Sequence, residues 1–154
     1  PVGTVGGQLD TLARQALWNA GLDYEHGTGH GVGSFLNVHE GPHRISKSLG
    51  GAPLKPGMIV SNEPGYYKTD AYGIRIENLV TVVERGRPES GERDLLGFDT
   101  LTWAPIDRFL VQKSLLNDQE SNWLNRYHTK VRETLTPLLD NDAAVWLKSV
   151  TASI

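Results

Sequence analysis

The sequence predicts an α+β fold, an antiparallel sheet with helices packed against it. Residues 58–63 and 74–83 are strand-like runs flanking the loop 68–73, and they read as an antiparallel hairpin. Apolar residues recur at helical spacing over 8–20 and again from Asp118 onward. At 154 residues the chain is long enough to bury a core without staples, and it contains no cysteine.

Residues 1–7 are glycine-rich and read as a loop. Over 8–20, Leu9, Leu12, Ala13, Ala16, Leu17 and Ala20 keep helical spacing, with Gly21 as the stop. This predicts an amphipathic helix that packs one face on the sheet. Residues 26–33 then read His-Gly-Thr-Gly-His-Gly-Val-Gly. A helix would set the two histidines side by side, but the glycines cost about 1 kcal/mol each in one, so extended backbone is predicted. Period two puts His26, Thr28, His30 and Val32 on one face and leaves bare backbone on the other, open to a ligand or another strand. At ~3.3 Å per residue the two histidines stand roughly 13 Å apart, too far to share one metal. One is therefore a ligand candidate and the other an outer or substrate group. The alternation continues over 34–39 and ends in the turn Glu40-Gly41-Pro42, and the polar stretch 43–56 reads as a surface loop.

The hairpin carries the strongest inference. With its centre at Asp70, Glu63 and Glu77 face each other, their Cβ atoms ~5 Å apart, and like charges so placed destabilise the pair. A cation between them removes the conflict. Arg75 shares the Glu77 face and is placed to hold a carboxylate bidentately, although a bulge at Pro64-Gly65 would shift this register. Beyond Glu84, residues 85–97 read as a loop, 100–104 as a strand and 108–111 as an extended piece. A helix follows from Asp118, capped by Asn117 or Asp118 and striped with Trp123, Leu124, Tyr127, Val131, Leu135 and Leu138. A second helix is expected over 143–150. Neither a repeat nor a second domain is evident, so residues 1–154 are expected to belong to one domain.

The net charge of −3 and the lack of a basic run argue against a nucleic-acid surface. No apolar run reaches the ~18 residues of a membrane span and the first residues do not look like a signal peptide, so the cytoplasm is the expected compartment. Without cysteine, a metal would be held by His and carboxylates. The one methionine is Met58, and the chain is expected to be a piece of something longer.

The motif HGTGHGVGSFLNVHEGP, and then EPGYY followed by GIRIEN, resemble the cytosolic X-prolyl aminopeptidases (aminopeptidase P), members of the pita-bread metallopeptidases. The likeness runs on through LDTLARQALWNAGLDY and WLNRYH, and so covers nearly the whole chain. It implies the C-terminal part of a pita-bread catalytic domain, with a curved antiparallel sheet and flanking helices. It also implies a hydrolase with two divalent metal ions, usually manganese, with zinc or cobalt as alternatives, that removes an N-terminal residue preceding proline. By position in the motifs, His30 and Glu63 bind one metal and Glu77 bridges both. His26 and His39 line the substrate site, where they handle protons or bind the peptide.

The family's two aspartate ligands and a further histidine have no counterpart here. The chain is therefore expected to need an upstream half of the catalytic domain and to bind metal weakly and lack activity on its own; the full-length protein is expected to be a homodimer. Arg75 is a further catalytic candidate and Tyr67 a substrate contact, although aromatic pairs such as Tyr66-Tyr67 at a strand end are more often core. His43 and His128 read as surface residues without a role. Trp123 and Trp146 suit a subunit contact. A prolidase-like dipeptidase and a non-catalytic pita-bread binding module are the competing readings. The second of these gives no reason for His30, Glu63 and Glu77 to occur together.

Overall fold

The structure, a computed structural model, describes residues 1–35 and 37–154. It divides into two compact units, Pro1–Thr102 and Trp103–Ile154.

The first unit opens with helix α1, Gly6–Asn19. Gln8 starts it by accepting the Val5 N–H on its side chain at 2.9 Å. It stops at Gly21, whose φ of 71° is the left-handed conformation glycine adopts freely, and the Gly21 and Leu22 amides bond back to Trp18 and Leu17. The expected apolar face is only half right. Leu9 packs on the core, but Leu12 is 67% exposed, and the side chains that α1 buries are Asp10 and Arg14. A satisfied ion pair has displaced the apolar stripe.

Among the described residues seven strands follow: β1 Gly29–His30, β2 Arg44–Ile45, β3 Ile59–Asn62, β4 Gly65–Lys68, β5 Tyr72–Arg75, β6 Asn78–Gly86 and β7 Leu95–Thr100. All the ladders are antiparallel. They form a β1-β2 pair, a β3-β6-β7 sheet and a β4-β5 hairpin. β1 lies along β3 through the Gly31↔Val60 bridge and the bond from Glu63 N–H to Thr28 O at 2.8 Å. Its glycines make that approach possible. A Cβ on Gly29 would stand 1.9 Å from Ser61 O, so the bare face is met by another strand's backbone.

The predicted long hairpin is two ladders in one frame. Asn62 pairs with Asn78 and Gly65 with Arg75, and each couple is equidistant from Asp70. Pro64, which has no N–H to donate, sits at the break. The possible bulge there does not shift the register. Asp70 turns the inner hairpin at φ 57°, a conformation Asp tolerates better than most residues.

Other boundaries differ from expectation. Ser34, Phe35, Val38 and His39 are bends instead of a continued strand, and Leu36, within that prediction, lies outside the described residues. The supposed surface loop 43–56 supplies β2 and two core residues, Ile45 and Leu54. Those two join Val60, Val80 and Val82 in the core, with Leu9, Met58 and Leu96 packed on them. Each such buried side chain is worth about 1.5–3 kcal/mol. β7 replaces the strand expected over 100–104. Its pairing with the far half of β6 starts five residues earlier, inside a stretch whose charges had suggested a loop.

In the second unit, Arg108–Leu110 is a 3₁₀ turn instead of an extended piece, because Asp107 Oδ1 accepts the Phe109 amide at 3.0 Å. Helix α2, Asp118–Leu135, is capped by Asn117 in a reciprocal bond pair with Glu120, and α3, Asn141–Val150, is capped by Asp140. Tyr127, Val131 and Leu147 form its core with Trp103, Ile106 and Leu135 against them. Trp123 is half-exposed and stacks on Tyr127, their ring centroids 5.4 Å apart, while Trp146 remains 56% exposed. No helix among the described residues is long and apolar enough to cross a membrane.

His128 is fully buried, not a surface residue. Its Nε2 accepts the Ile106 N–H at 3.1 Å, and its Nδ1 has no partner among the described residues. Burial pushes its pKa below the ordinary value, and the Arg132 and Arg108 cations add to this. A lowered folded pKa means that the unfolded chain takes up the proton first. The stabilisation is therefore complete above the ordinary pKa of about 6.5 and is lost as pH falls below it. Thermal unfolding followed by tryptophan signal should show an acid limb starting near that pH. His128→Gln keeps an acceptor without titrating and should flatten this limb. An unchanged limb would place its origin elsewhere.

Candidate functional site

The site is built on the shared frame of the two ladders. Glu63 stands between β3 and β4, and Glu77 between β5 and β6, where neither ladder continues. Glu63 is 8% exposed, and burying a carboxylate requires partners. Three surround it: Ser61 Oγ donates to Oε1 at 2.8 Å, Arg75 Nη1 to Oε2 at 3.2 Å, and His30 Nε2 lies 3.0 Å from Oε1.

His30 is held on the other side by its own backbone. Its N–H donates to Ser61 Oγ at 2.9 Å, and its Nδ1 lies 2.9 Å from Gly31 O. Donation from Nδ1 to that carbonyl leaves the Nε2 lone pair aimed at Glu63. The ring then either carries a second proton and pairs ionically with Glu63, or presents a nitrogen and an oxygen ligand to one point. The second arrangement is how metal-binding histidines are oriented by an outer hydrogen bond. The His39 ring, largely exposed, stands 4.3 Å from that of His30, centroid to centroid.

Arg75 is the cation between the two carboxylates. Its Nη1 reaches Glu63 at 3.2 Å and Glu77 at 3.9 Å, so one nitrogen is shared between two acids and the expected bidentate grip on one is not made. Its Nε donates to Tyr67 OH at 2.9 Å, and that contact, ahead of the two glutamates, raises the guanidinium pKa. Tyr67 OH in turn lies 2.7 Å from His26 Nε2, while His26 Nδ1 lies 2.7 Å from Gly27 O. A consistent proton assignment runs from Arg75 Nε–H to Tyr67 and from Tyr67 O–H to His26 Nε2. Tyr67 is 42% exposed and belongs to this chain of contacts, not to the core.

All seven residues singled out from the sequence, His26, His30, His39, Glu63, Tyr67, Arg75 and Glu77, therefore stand in one connected set of contacts. Among the described residues Glu77 joins it through Arg75. Among the described residues no three His, Cys, Asp or Glu side chains converge closely enough to hold a metal ion. Two clefts flank His30. One of about 430 Å³ has Val32, Val38, Glu77, Asn78 and Leu79 on its walls, and one of about 480 Å³ is bordered by His39, Glu40 and His43. His43, read as a surface residue, is 7% exposed and lies 2.8 Å through Nε2 from Ile59 O.

Ser61 escaped the sequence reading. A serine in a strand gives no signal of its own; its role arises because β1 crosses β3 at that point.

A histidine nitrogen and two carboxylates gathered where the antiparallel ladders break are donor types that suit a divalent metal. Residues 1–84 match the model of Metallopeptidase family M24, and residues 94–154 match that of the C-terminal region of peptidase M24. The first match spans more than half of the chain, so the chain belongs to metallopeptidase family M24. It is 53% identical over 153 residues to the probable Xaa-Pro aminopeptidase P of Laccaria bicolor, covering 96% of this chain and 24% of that protein. It is 54% identical over 150 residues to aminopeptidase P2 of Arabidopsis thaliana, covering 96% and 21%. The crystal structure of X-prolyl aminopeptidase from Caenorhabditis elegans, described as a cytosolic enzyme with a di-nuclear active site, superposes with a TM-score of 0.91 at 46% identity. That match covers 100% of this chain and 26% of the other. The fold is thus the expected pita-bread α+β fold, and the chain spans about a quarter of the length of these relatives.

Ser61→Ala should destabilise the first unit by about 1–3 kcal/mol, because the buried Glu63 carboxylate and the His30 amide each lose a partner. The shift of the urea midpoint at constant slope measures this. A loss below half a kilocalorie would mean that water replaces the hydroxyl.

Proposed function

We propose that this chain is the C-terminal part of the catalytic domain of a metal-dependent aminopeptidase that hydrolyses the N-terminal X-Pro peptide bond. The observation that carries the proposal is the convergence of His30 Nε2 and Glu63 Oε1 to 3.0 Å, with Glu77 on the same arginine. Likeness over the full chain to an X-prolyl aminopeptidase supports the substrate class. A prolidase-like reading has less support, since a dipeptidase from Pyrococcus horikoshii OT3 covers 67% of the chain with a TM-score of 0.51.

The residues fit a divalent pair as far as they go. An imidazole nitrogen with its outer hydrogen bond in place and two carboxylates make a mixed nitrogen and oxygen set suited to manganese, zinc or cobalt, with manganese the expected ion. His30, Glu63 and Glu77 would hold the ions, and the remaining ligands would come from the upstream half of the domain. When bound, the pair activates water at neutral pH and polarises the scissile carbonyl.

This chain's own groups do the rest. Ser61 and Arg75 hold the Glu63 carboxylate in place. Tyr67 donates to His26 Nε2 and, with Gly27 O at Nδ1, fixes the tautomer and orientation of that ring at the substrate side. His39, largely exposed beside His30, is placed to contact the peptide backbone. The apolar rim of Val32, Val38 and Leu79 beside Glu77 gives the proline ring a surface to lie on. The domain acts in the cytoplasm, and the exposed Trp146 suits a homodimer contact in the full-length protein.

Calorimetry with manganese tests this reading. This chain alone should bind weakly, and its mixture with a polypeptide carrying the upstream half should bind tightly and cleave an X-Pro peptide. Glu77→Ala in the mixture should reduce manganese affinity by more than the ~10–100-fold that changes to outer hydrogen-bond partners cost. Unchanged affinity and cleavage would overturn the metal assignment.

A further inference from the structure

Residues 22–28 carry His26 into the site without helix or ladder to hold them. Their order comes from one guanidinium. Arg14 on α1 is fully buried, and its nitrogens reach four acceptors: Asp10 Oδ2 at 2.7 Å, Asp23 Oδ1 at 2.7 Å, Tyr24 O at 2.6 Å and His26 O at 2.7 Å. Its Cζ also lies 3.8 Å from the centroid of the Tyr24 ring. Burial lowers the Arg14 pKa, but the bonds to Asp10 and Asp23 outweigh this and the net shift is upward, so the cation is kept.

Asp10 completes the clamp. Its second oxygen accepts the Thr28 hydroxyl at 2.6 Å, and the Tyr24 hydroxyl bonds the same Thr28 oxygen. Thr28 O accepts the Glu63 N–H at 2.8 Å. A single helix face therefore grips the segment at Asp23, Tyr24, His26 and Thr28. Within that segment His26 meets Tyr67, and two residues on, at its last residue, the Thr28 carbonyl accepts the Glu63 N–H.

We infer that Arg14 is a positioning residue that acts through His26: its guanidinium fixes the His26 carbonyl, and with it the ring that meets Tyr67. This rests on the proposed function for its kinetic consequence but not for its geometry. Such a role needs the fork of an arginine. A lysine would keep the charge and satisfy Asp10, but its single nitrogen cannot also span Asp23, Tyr24 and His26.

The test uses the full-length protein. Arg14→Lys leaves acceptors on Asp23, Tyr24 and His26 unpaired and should lower the melting temperature. Assayed well below that temperature, with metal content near that of the unaltered protein, it should lower kcat on an X-Pro peptide by up to ~100-fold, the scale on which misplacing a group by about 1 Å acts. In a His26→Ala background the same change should cause no further loss, because the two positions act in series. Asp10→Asn, which keeps an acceptor for Thr28 but removes the charge that orients Arg14, should show the same dependence on His26 and serves if Arg14→Lys does not fold. An equal loss with and without His26 would overturn the inference. So would an unchanged kcat.

A readout independent of turnover separates this inference from the proposed activity. The rate at which diethyl pyrocarbonate modifies His26, followed by mass spectrometry, should change in Arg14→Lys while that of His39 does not. If the unaltered protein cleaves no X-Pro peptide but the His26 rate still responds to Arg14, the activity assignment fails and the positioning role stands. If the His26 rate is unmoved, the positioning role fails.

Discussion

The constraint on which the first unit depends is the confrontation of two carboxylates across an antiparallel frame. Glu63 and Glu77 occupy equivalent places about Asp70, and like charges directly opposed weaken a sheet. The chain resolves this in two ways. The ladder is interrupted there, with Pro64 removing a donor, and Arg75 is turned into the gap at 3.2 Å from one acid and 3.9 Å from the other. Glu63, the buried member, also receives Ser61 and His30, so its desolvation is compensated on both oxygens. A site of this kind disrupts the sheet that contains it, which accounts for the four-residue lengths of β3, β4 and β5.

Backbone proximity brings His30 to that point. Gly29 and Gly31 lie where a Cβ would meet Ser61 O at 1.9 Å and Glu40 O at 2.1 Å. With side chains at those positions β1 would have to move outward, and His30 would lose both its amide bond to Ser61 and its approach to Glu63. The glycines therefore act on the geometry of the His30–Glu63 pair, although neither touches it.

Much of this could be read from residues alone, and the exceptions share a cause. Helix limits were legible because Gly21 and Asn117 act locally, through a left-handed turn and a cap. The register was legible because period two fixes which residues face each other once the centre is known, and the break at Pro64 left the frame intact. What failed was burial of polar groups. Arg14, Asp10, His43 and His128 are polar by composition and were read as solvated or not read at all, yet they are buried because partners distant in sequence satisfy them. Leu12 was read as core and is exposed, since Arg14 and Asp10 occupy the inner face of α1. The strand at 95–100 was hidden by a charged approach, and only pairing with β6 determines it. Ser61 carries no pattern at all.

On the proposed function, the arrangement also explains why so small a part of a dinuclear site can keep its shape. One imidazole nitrogen and one carboxylate oxygen do not make a tetrahedral or octahedral shell, and a divalent ion held by two protein groups keeps most of its water. Yet these groups are already aimed, because each is bonded behind: His30 by Gly31 O, Glu63 by Ser61 and by the Thr28 carbonyl on its amide. Arg75 supplies positive charge where the two acids would otherwise repel, so the edge need not collapse when a metal is absent. Binding a cation there replaces one neutralising charge with another instead of organising a disordered loop. The ordering cost is thereby met by the fold, and metal affinity depends on how many further oxygens the upstream half delivers.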